Sequence, residues 1–118
     1  MSRGISFPQL PTGWCCYLLV CADGSYYCGL ASNLNHRIRQ HANGKGTGYT
    51  KRRKPTALAW FESHPDRTSA AARERQIQNW GHGKKAGLAK GEPQYNGLGQ
   101  RVWVSLVPAP KTSGRVSG

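Results

Sequence analysis

Acidic side chains are scarce in this chain of 118 residues. Five Asp and Glu residues stand against seventeen Lys and Arg residues, which gives a formal net charge of +12 at pH 7 and a pI near 10.2. No carboxylate occurs between Asp23 and Glu62, so the positive charge is concentrated in one part of the sequence. Such a surplus attracts polyanions, because binding releases their counterions. Nucleic acid is therefore the expected partner.

Long apolar runs are also missing. No stretch approaches the ~20 apolar residues that a transmembrane helix needs, and the N-terminus lacks the charged-then-apolar order of a secretory signal. The sequence predicts a cytoplasmic protein with no membrane partner. A chain of this length holds a single small domain.

The four cysteines, Cys15, Cys16, Cys21 and Cys28, do not form two C-x-x-C pairs. Cys15 and Cys16 are adjacent in a strand-like segment, so their side chains point to opposite faces and cannot both reach one tetrahedral zinc ion. A zinc-stabilised interaction domain is thus disfavoured, and we expect four reduced thiols in the core. The pattern Gly44-x-Gly46-x-Gly48 follows a predicted helix, not a strand, which favours a flexible basic loop over a phosphate-binding loop. No small-molecule cofactor is predicted.

The pattern of apolar residues predicts an α+β domain. Two strands at Trp14–Cys21 and Ser25–Leu30 flank an Asp-Gly turn, as in an antiparallel hairpin. A helix capped by Ser32 or Asn33 follows, and a third strand is expected at Thr56–Phe61. The remaining elements are a helix from Asp66, Thr68 or Ser69 to Trp80 that Gly81 stops, and one or two helical turns within Lys84–Lys90.

These elements divide the chain into three parts. Residues 1–13 form a lead-in, residues 14–91 form the domain, and residues 92–118 form a basic tail rich in Gly, Pro and Ser. The apolar segment at 101–107 is interpreted as an edge strand within that tail.

The basic run Lys51-Arg52-Arg53-Lys54 has two interpretations. Charge runs are often solvated surfaces or localisation signals. The aromatic residues Tyr49 and Trp60 on either side favour nucleic-acid binding instead.

Glu74 is unusual because no basic residue lies three or four positions from it in the predicted helix. It shares a helix face with Ala70 and Ile77, which would place it against the sheet. An unpaired charge there is costly unless a cation satisfies it. A hard divalent ion bound through one carboxylate and substrate phosphate would do so, and a buried ion pair with Arg37 or another guanidinium is an equal alternative.

Tyr17 and Tyr27 also have two interpretations, core packing and catalysis. An aromatic residue in a strand more often packs in the core than takes part in catalysis. A phenol has a pKa of about 10, too high for an unaided base. A neighbouring cation lowers the cost of forming phenolate, and Arg37 together with a metal ion on Glu74 would supply that charge.

Taken in order, these residues resemble the GIY-YIG nuclease domain, in particular its small single-domain bacterial members. The resemblance spans Trp14 to Lys90. It is carried by Cys16-Tyr17-Leu18, Tyr27-Cys28-Gly29, Arg37, His41, Lys45-Gly46, Tyr49-Thr50, Pro55, Trp60-Phe61-Glu62 and Ala72-Arg73-Glu74-Arg75-Gln76-Ile77. The first motif departs from the family pattern, because cysteines replace its glycine and isoleucine.

The resemblance implies a small three-stranded antiparallel β-sheet flanked by helices, and a divalent-metal-dependent endonuclease acting on DNA in repair or recombination. It implies that Tyr27 is the general base, that Tyr17 supports it and that His41 assists proton transfer. Arg37 would stabilise phosphoryl charge, and Glu74 would bind Mg²⁺ or Mn²⁺.

The residues expected to contact nucleic acid are Arg39, Lys45, Tyr49, Lys51, Arg52, Arg53 and Lys54. A protein partner that confers specificity is also expected. The alternative function is a nucleic-acid-binding module that keeps the fold without turnover.

Overall fold

The computed structural model describes residues 10, 12–43, 48–90 and 100–106. Its centre is an antiparallel sheet of four strands in the order β2-β1-β3-β4. The strands are β1 Thr12–Cys21, β2 Tyr26–Asn33, β3 Pro55–Ser63 and β4 Gln100–Ser105. The predicted α+β class with three antiparallel strands is confirmed in β2-β1-β3. Strand β4 pairs with the outer edge of β3, in the segment interpreted as an edge strand.

The β1–β2 hairpin is held by the predicted turn. Gly24 has a φ of +85°, which favours glycine, and the Asp23 carboxylate accepts hydrogen bonds from the backbone N and the hydroxyl of Ser25. The register sets Tyr17 opposite Gly29 and Leu19 opposite Tyr27. Because opposed residues in a sheet share a face, both tyrosines project to the same side.

Four helices complete the described fold: α1 Leu34–Ala42, α2 Gly48–Arg53, α3 Arg67–Gln78 and α4 His82–Lys90. Asn33 caps α1 by accepting from the backbone N of His36, and Asp66 caps α3 by accepting from the backbone N of Ser69. Both caps are residues that the sequence analysis named. None of the helices in the described part of the chain has the length and apolarity to cross a membrane.

The sheet separates two hydrophobic clusters. On one face, Leu34 and Ile38 of α1 pack with Cys15, Tyr17 and Leu19. On the other face, the apolar side chains that pack together come from α3, α4, β1, β2 and β3: Ile77, Leu88, Cys16, Leu18, Cys28 and Trp60. The expected placement of Cys15 and Cys16 on opposite faces is confirmed, and all four cysteines are buried and unpaired.

The first three residues of the basic run, Lys51 to Arg53, lie in a short helix, α2, that the sequence analysis did not predict. Six residues are too few for a stable isolated helix, so tertiary contacts must stabilise it. The backbone N of Ala22 donates to the carbonyl oxygens of Arg53 and Lys54, at 3.1 and 2.9 Å. The Arg53 guanidinium also lies 2.7 Å from the Asp23 carboxylate. The hairpin turn therefore anchors the end of α2.

Helix boundaries differ from the prediction around Trp80. Helix α3 ends at Gln78 with Asn79 as its C-cap, so Trp80 lies between the helices, and α4 begins earlier than expected at His82. Several predicted features lie outside the described residues: most of the lead-in 1–13, the loop at 44–47 with Lys45, residues 91–99, and the tail from 107 onward. The domain boundaries at 14 and 91 stay a prediction.

Candidate active site

Two phenols and one imidazole meet on the α1 face of the sheet. The Tyr17 hydroxyl shares a hydrogen bond with Nε2 of His41, at 2.9 Å. The ring centroids of Tyr17 and Tyr27 are 6.3 Å apart, and that of His41 lies 5.9 Å from Tyr17 and 5.6 Å from Tyr27. We call these three side chains the phenol–imidazole cluster. Tyr17 is 1% exposed whereas Tyr27 is half-buried, so the two phenols differ in access to solvent.

Gly29 makes room for this cluster. A Cβ atom at that position would lie 2.7 Å from the Tyr17 hydroxyl oxygen, 2.8 Å from Tyr17 Cζ and 2.9 Å from a ring carbon of Tyr27. Real side chains essentially never approach so closely. The glycine is therefore required by the two rings beside it, and not by an unusual backbone conformation.

Burial keeps Tyr17 and His41 uncharged near neutral pH. Desolvation raises the pKa of Tyr17 well above its usual range, and the neighbouring Tyr27 adds to this effect while the Arg37 charge opposes it. Desolvation also lowers the pKa of His41 to about 4, and the positive charge of Arg37 acts in the same direction. At pH 7 the hydrogen bond thus joins a protonated phenol to a neutral imidazole.

Arg37 and Glu74 approach the cluster from different helices. Arg37 lies on α1, one turn before His41, and its charge acts on both Tyr17 and His41. Glu74 lies on α3, and its charge also acts on Tyr17. Residues from two strands and two helices, 57 positions apart in the chain, thus share one electrostatic environment.

The carboxylate of Glu74 forms no ion pair or hydrogen bond with any other described residue. Burial raises its pKa, and the positive charges of Arg67 and Arg75 only partly offset this. The sequence analysis left open a buried ion pair with Arg37 or another guanidinium, and no such pair is present within the described part of the chain.

Helix α3 is held alongside β2. The side-chain amide of Gln78 donates to the carbonyl oxygen of Cys28 at 3.2 Å, and the Cys28 thiol lies 4.0 Å from the carbonyl oxygen of Glu74. Because Cys28 precedes Gly29, these contacts bring Glu74 to the stretch of β2 that also carries Tyr27. The sequence analysis did not foresee either contact, since both join residues more than 45 positions apart.

A buried polar network fixes the rotation of α3. Glu62 on β3 is 5% exposed, and its carboxylate lies 2.8 Å from Nε2 of His64 and 3.2 Å from Nε of Arg73. The Arg73 nitrogen forms an ion pair there without a well-aligned hydrogen bond. The Arg73 guanidinium also lies 5.8 Å from the Trp60 ring and 5.6 Å from the Trp80 ring. Arg73 immediately precedes Glu74, so this network holds the part of α3 that carries Glu74.

The residues predicted to contact nucleic acid do not form one cluster in the described part of the chain. Arg52 and Lys54 are exposed at the end of α2, and Arg39 is exposed on α1. Arg53 is engaged by Asp23. Tyr49 and Lys51 lie in α2, but their side chains, like all of Lys45, lie outside the described residues.

Comparison with known proteins identifies the family. The family model of the GIY-YIG catalytic domain matches residues 13–86. The chain belongs to the GIY-YIG family. It is 39% identical over 80 residues to a UPF0213 protein of Bacillus cereus, a match that covers 67% of this chain and 83% of that protein. It is 38% identical over 74 residues to a UPF0213 protein of Staphylococcus aureus strain Mu3, covering 63% and 90%. No solved structure matches the chain.

The GIY-YIG domain implies a fold of nuclease type. Its two tyrosine motifs correspond to the paired strands β1 and β2, where Tyr17 and Tyr27 contact the same histidine. The departures at Cys15 and Cys16 fall on fully buried positions.

Gly29→Ala is expected to destabilise the protein by about 1–3 kcal/mol, the usual cost of forcing extra volume into a packed site. Denaturant unfolding measures the loss. Gly48→Ala is the matched control, because a Cβ at Gly48 meets nothing within 4 Å. Equal stability of the two variants would contradict the role assigned to Gly29.

The lowered pKa of His41 should make the free energy of unfolding depend on pH. Its pKa is about 4 in the folded protein and about 6.5 in the unfolded chain, so its contribution is complete above pH 6.5 and is lost as pH falls toward 4. We expect a loss of about 2 kcal/mol between pH 7 and pH 5. His41→Gln, which cannot titrate, should lack this component when urea unfolding is compared at the two pH values. Identical pH dependence in both proteins would show that His41 is not held neutral by burial.

Proposed function

We propose that this protein is a divalent-metal-dependent endonuclease that hydrolyses phosphodiester bonds in DNA. The observation that carries the proposal is the half-buried Tyr27 phenol beside the locked Tyr17–His41 pair, with the charges of Arg37 and Glu74 acting on the same site. Membership of the GIY-YIG family supports the reaction class. The net charge of +12 supports a polyanionic substrate.

Tyr27 is the proposed general base. Tyr17 is buried and its hydroxyl is hydrogen-bonded to His41, so it cannot reach a substrate. Tyr27 is more exposed and lies against the same imidazole. Nearby positive charge would lower the cost of forming the Tyr27 phenolate, and that phenolate would accept the proton of the attacking water and so become the phenol.

His41 and Tyr17 orient this base. The neutral His41 ring contacts both phenols, so it helps to fix the distance between them. It also offers a nitrogen that could accept a proton. Arg37 would stabilise negative charge that develops on the phosphoryl oxygens, because its guanidinium presents fixed donors to phosphate.

The residues present fit a hard divalent cation such as Mg²⁺ or Mn²⁺. Glu74 offers a partly buried carboxylate without an ionic partner among the described residues, and its raised pKa reflects desolvation that a cation would offset. The described residues contain no cluster of three or more metal-ligating side chains. Glu74 would therefore hold the ion together with water and substrate phosphate, a common arrangement for Mg²⁺. The bound ion would stabilise charge on the leaving oxygen.

The proposed setting is DNA repair or recombination, with a protein partner supplying target specificity. The exposed positive charges of Arg52 and Lys54, beside the turn between β1 and β2, support a DNA backbone that runs past this end of the hairpin. The same charges also support the second candidate, a binding module without turnover. Substitution of Glu74 or Tyr27 distinguishes these two functions.

Glu74→Gln should abolish cleavage, because it removes the carboxylate that would bind the metal ion. It should leave DNA affinity nearly unchanged, because it preserves the shape of the side chain and alters the net charge of +12 by only one unit. Cleavage and binding of a labelled DNA, measured with Mg²⁺ or Mn²⁺, test this. Stability should not fall, since the folded state disfavours the charge of Glu74 and no paired cation is left behind. Cleavage at the wild-type rate would rule out a metal-binding role. A loss of ~3–5 kcal/mol of stability would indicate an ion pair instead.

Tyr27→Phe should slow cleavage by ~10²–10⁴-fold, the usual contribution of a positioned proton acceptor. The ring and its packing remain, so stability should change by no more than about 1 kcal/mol, the worth of one hydrogen bond. Tyr17→Phe is the matched comparison, and we expect a smaller rate loss because that hydroxyl only supports the cluster. Full activity of both variants in single-turnover kinetics would leave the binding module as the better function.

A further inference from the structure

A second group of rings lies on the opposite face of the sheet from the phenol–imidazole cluster. The ring centroids of Tyr26 and His82 are 5.1 Å apart with an interplanar angle of 46°. Trp80 lies nearby in the chain, and the Lys84 ammonium is 5.5 Å from its ring centroid. Tyr26 and Trp80 are half-buried against the core, whereas His82 and Lys84 are exposed. We call these four side chains the ring patch.

The ring patch lies beside Glu74 along the seam between β2 and α3. Glu74 and Gln78 contact Cys28, and Tyr26 is two residues before Cys28 on the same face of β2. Two residues of strand span about 7 Å. A nucleic-acid strand held at Glu74 and lying along this seam would therefore reach the patch next.

Charge around the patch suits a polyanion. The segment from Gln78 to Lys90 contains three lysines and no carboxylate. The nearby carboxylate of Glu62 is buried in its ion pairs with His64 and Arg73, which leaves it unable to repel an anion at the surface.

We propose that the ring patch binds an unpaired nucleotide segment of the substrate adjacent to the scissile phosphate. A base would stack on the exposed side of the Tyr26–His82 pair, and a phosphate would contact Lys84. The occupant is unpaired because bases within a duplex already stack on their neighbours, whereas aromatic side chains bind the free π-faces of single strands. This inference rests on the proposed function for one point only, the position of the scissile phosphate at Glu74.

The test is binding of a fluorescent single-stranded oligonucleotide and of a blunt duplex of equal length, measured by anisotropy in EDTA. Stacking of one base contributes enough that its loss weakens binding about 5- to 150-fold. We expect His82→Ala to weaken single-strand binding about 5-fold or more and duplex binding less than twofold. His82→Phe retains a ring and should restore the affinity. Lys84→Gln should reduce the salt slope on the single strand by about 0.7.

His36→Ala is the matched control, because His36 is also exposed but lies on α1, across the sheet. It should bind both DNAs as the wild type does. Tyr26→Leu gives a second variant, and its unfolding is measured because Tyr26 packs on the core.

Unchanged single-strand affinity in His82→Ala and in folded Tyr26→Leu would overturn the proposal and reduce the rings to packing of α4 on the sheet. Equal losses on both DNAs would overturn it too, since they indicate a contact that does not require unpaired bases. No cleavage is measured, so a failure of the nuclease proposal in the Tyr27→Phe experiment remains distinguishable from a failure here.

Discussion

The register of the β1–β2 hairpin is the constraint on which the candidate site depends. Placing Tyr17 opposite Gly29 puts a large ring over a position without a side chain, and this vacancy lets the ring of Tyr27 approach from the next position on the same face. A shift of one residue would turn Tyr27 to the other face and set a side chain beneath Tyr17. The Asp23–Ser25 turn and the end of α2 both fix that register.

Burial then determines the protonation states around the hairpin. His41 is neutral because it is desolvated and lies near Arg37. Tyr17 is protonated because it is desolvated. Among the four carboxylates in the described residues, Asp23 is engaged by Arg53, Glu62 by His64 and Arg73, and Asp66 by the backbone of α3. Of these four carboxylates, only that of Glu74 has no ion pair or hydrogen bond with another described residue. That difference is the reason for proposing Glu74 as the ligand of a divalent cation.

The sequence predicted the parts of this arrangement that depend on local patterns. The hairpin follows from an Asp-Gly turn between two apolar runs, and the caps Asn33 and Asp66 follow from residues that accept backbone hydrogen bonds. It could not predict contacts between distant elements. Helix α2 exists because the hairpin turn binds its end, and the Glu62–Arg73 pair joins β3 to α3 across ten residues. That pair holds the part of α3 that carries Glu74, and no pattern within the helix itself indicates it.

Strand β2 lies at one edge of the sheet formed by the described strands, which explains how one short segment can place functional side chains on both faces. Side chains alternate along a strand, so Tyr27 projects toward His41 while Tyr26 projects toward His82. On a central strand, neighbouring strands on both sides would prevent one ligand from contacting side chains on the two faces at once. At an edge strand both tyrosines border the same outer rim, which Glu74 also reaches from α3. A substrate lying along the rim would therefore meet the proposed base on one side and the ring patch on the other, without any movement of the fold.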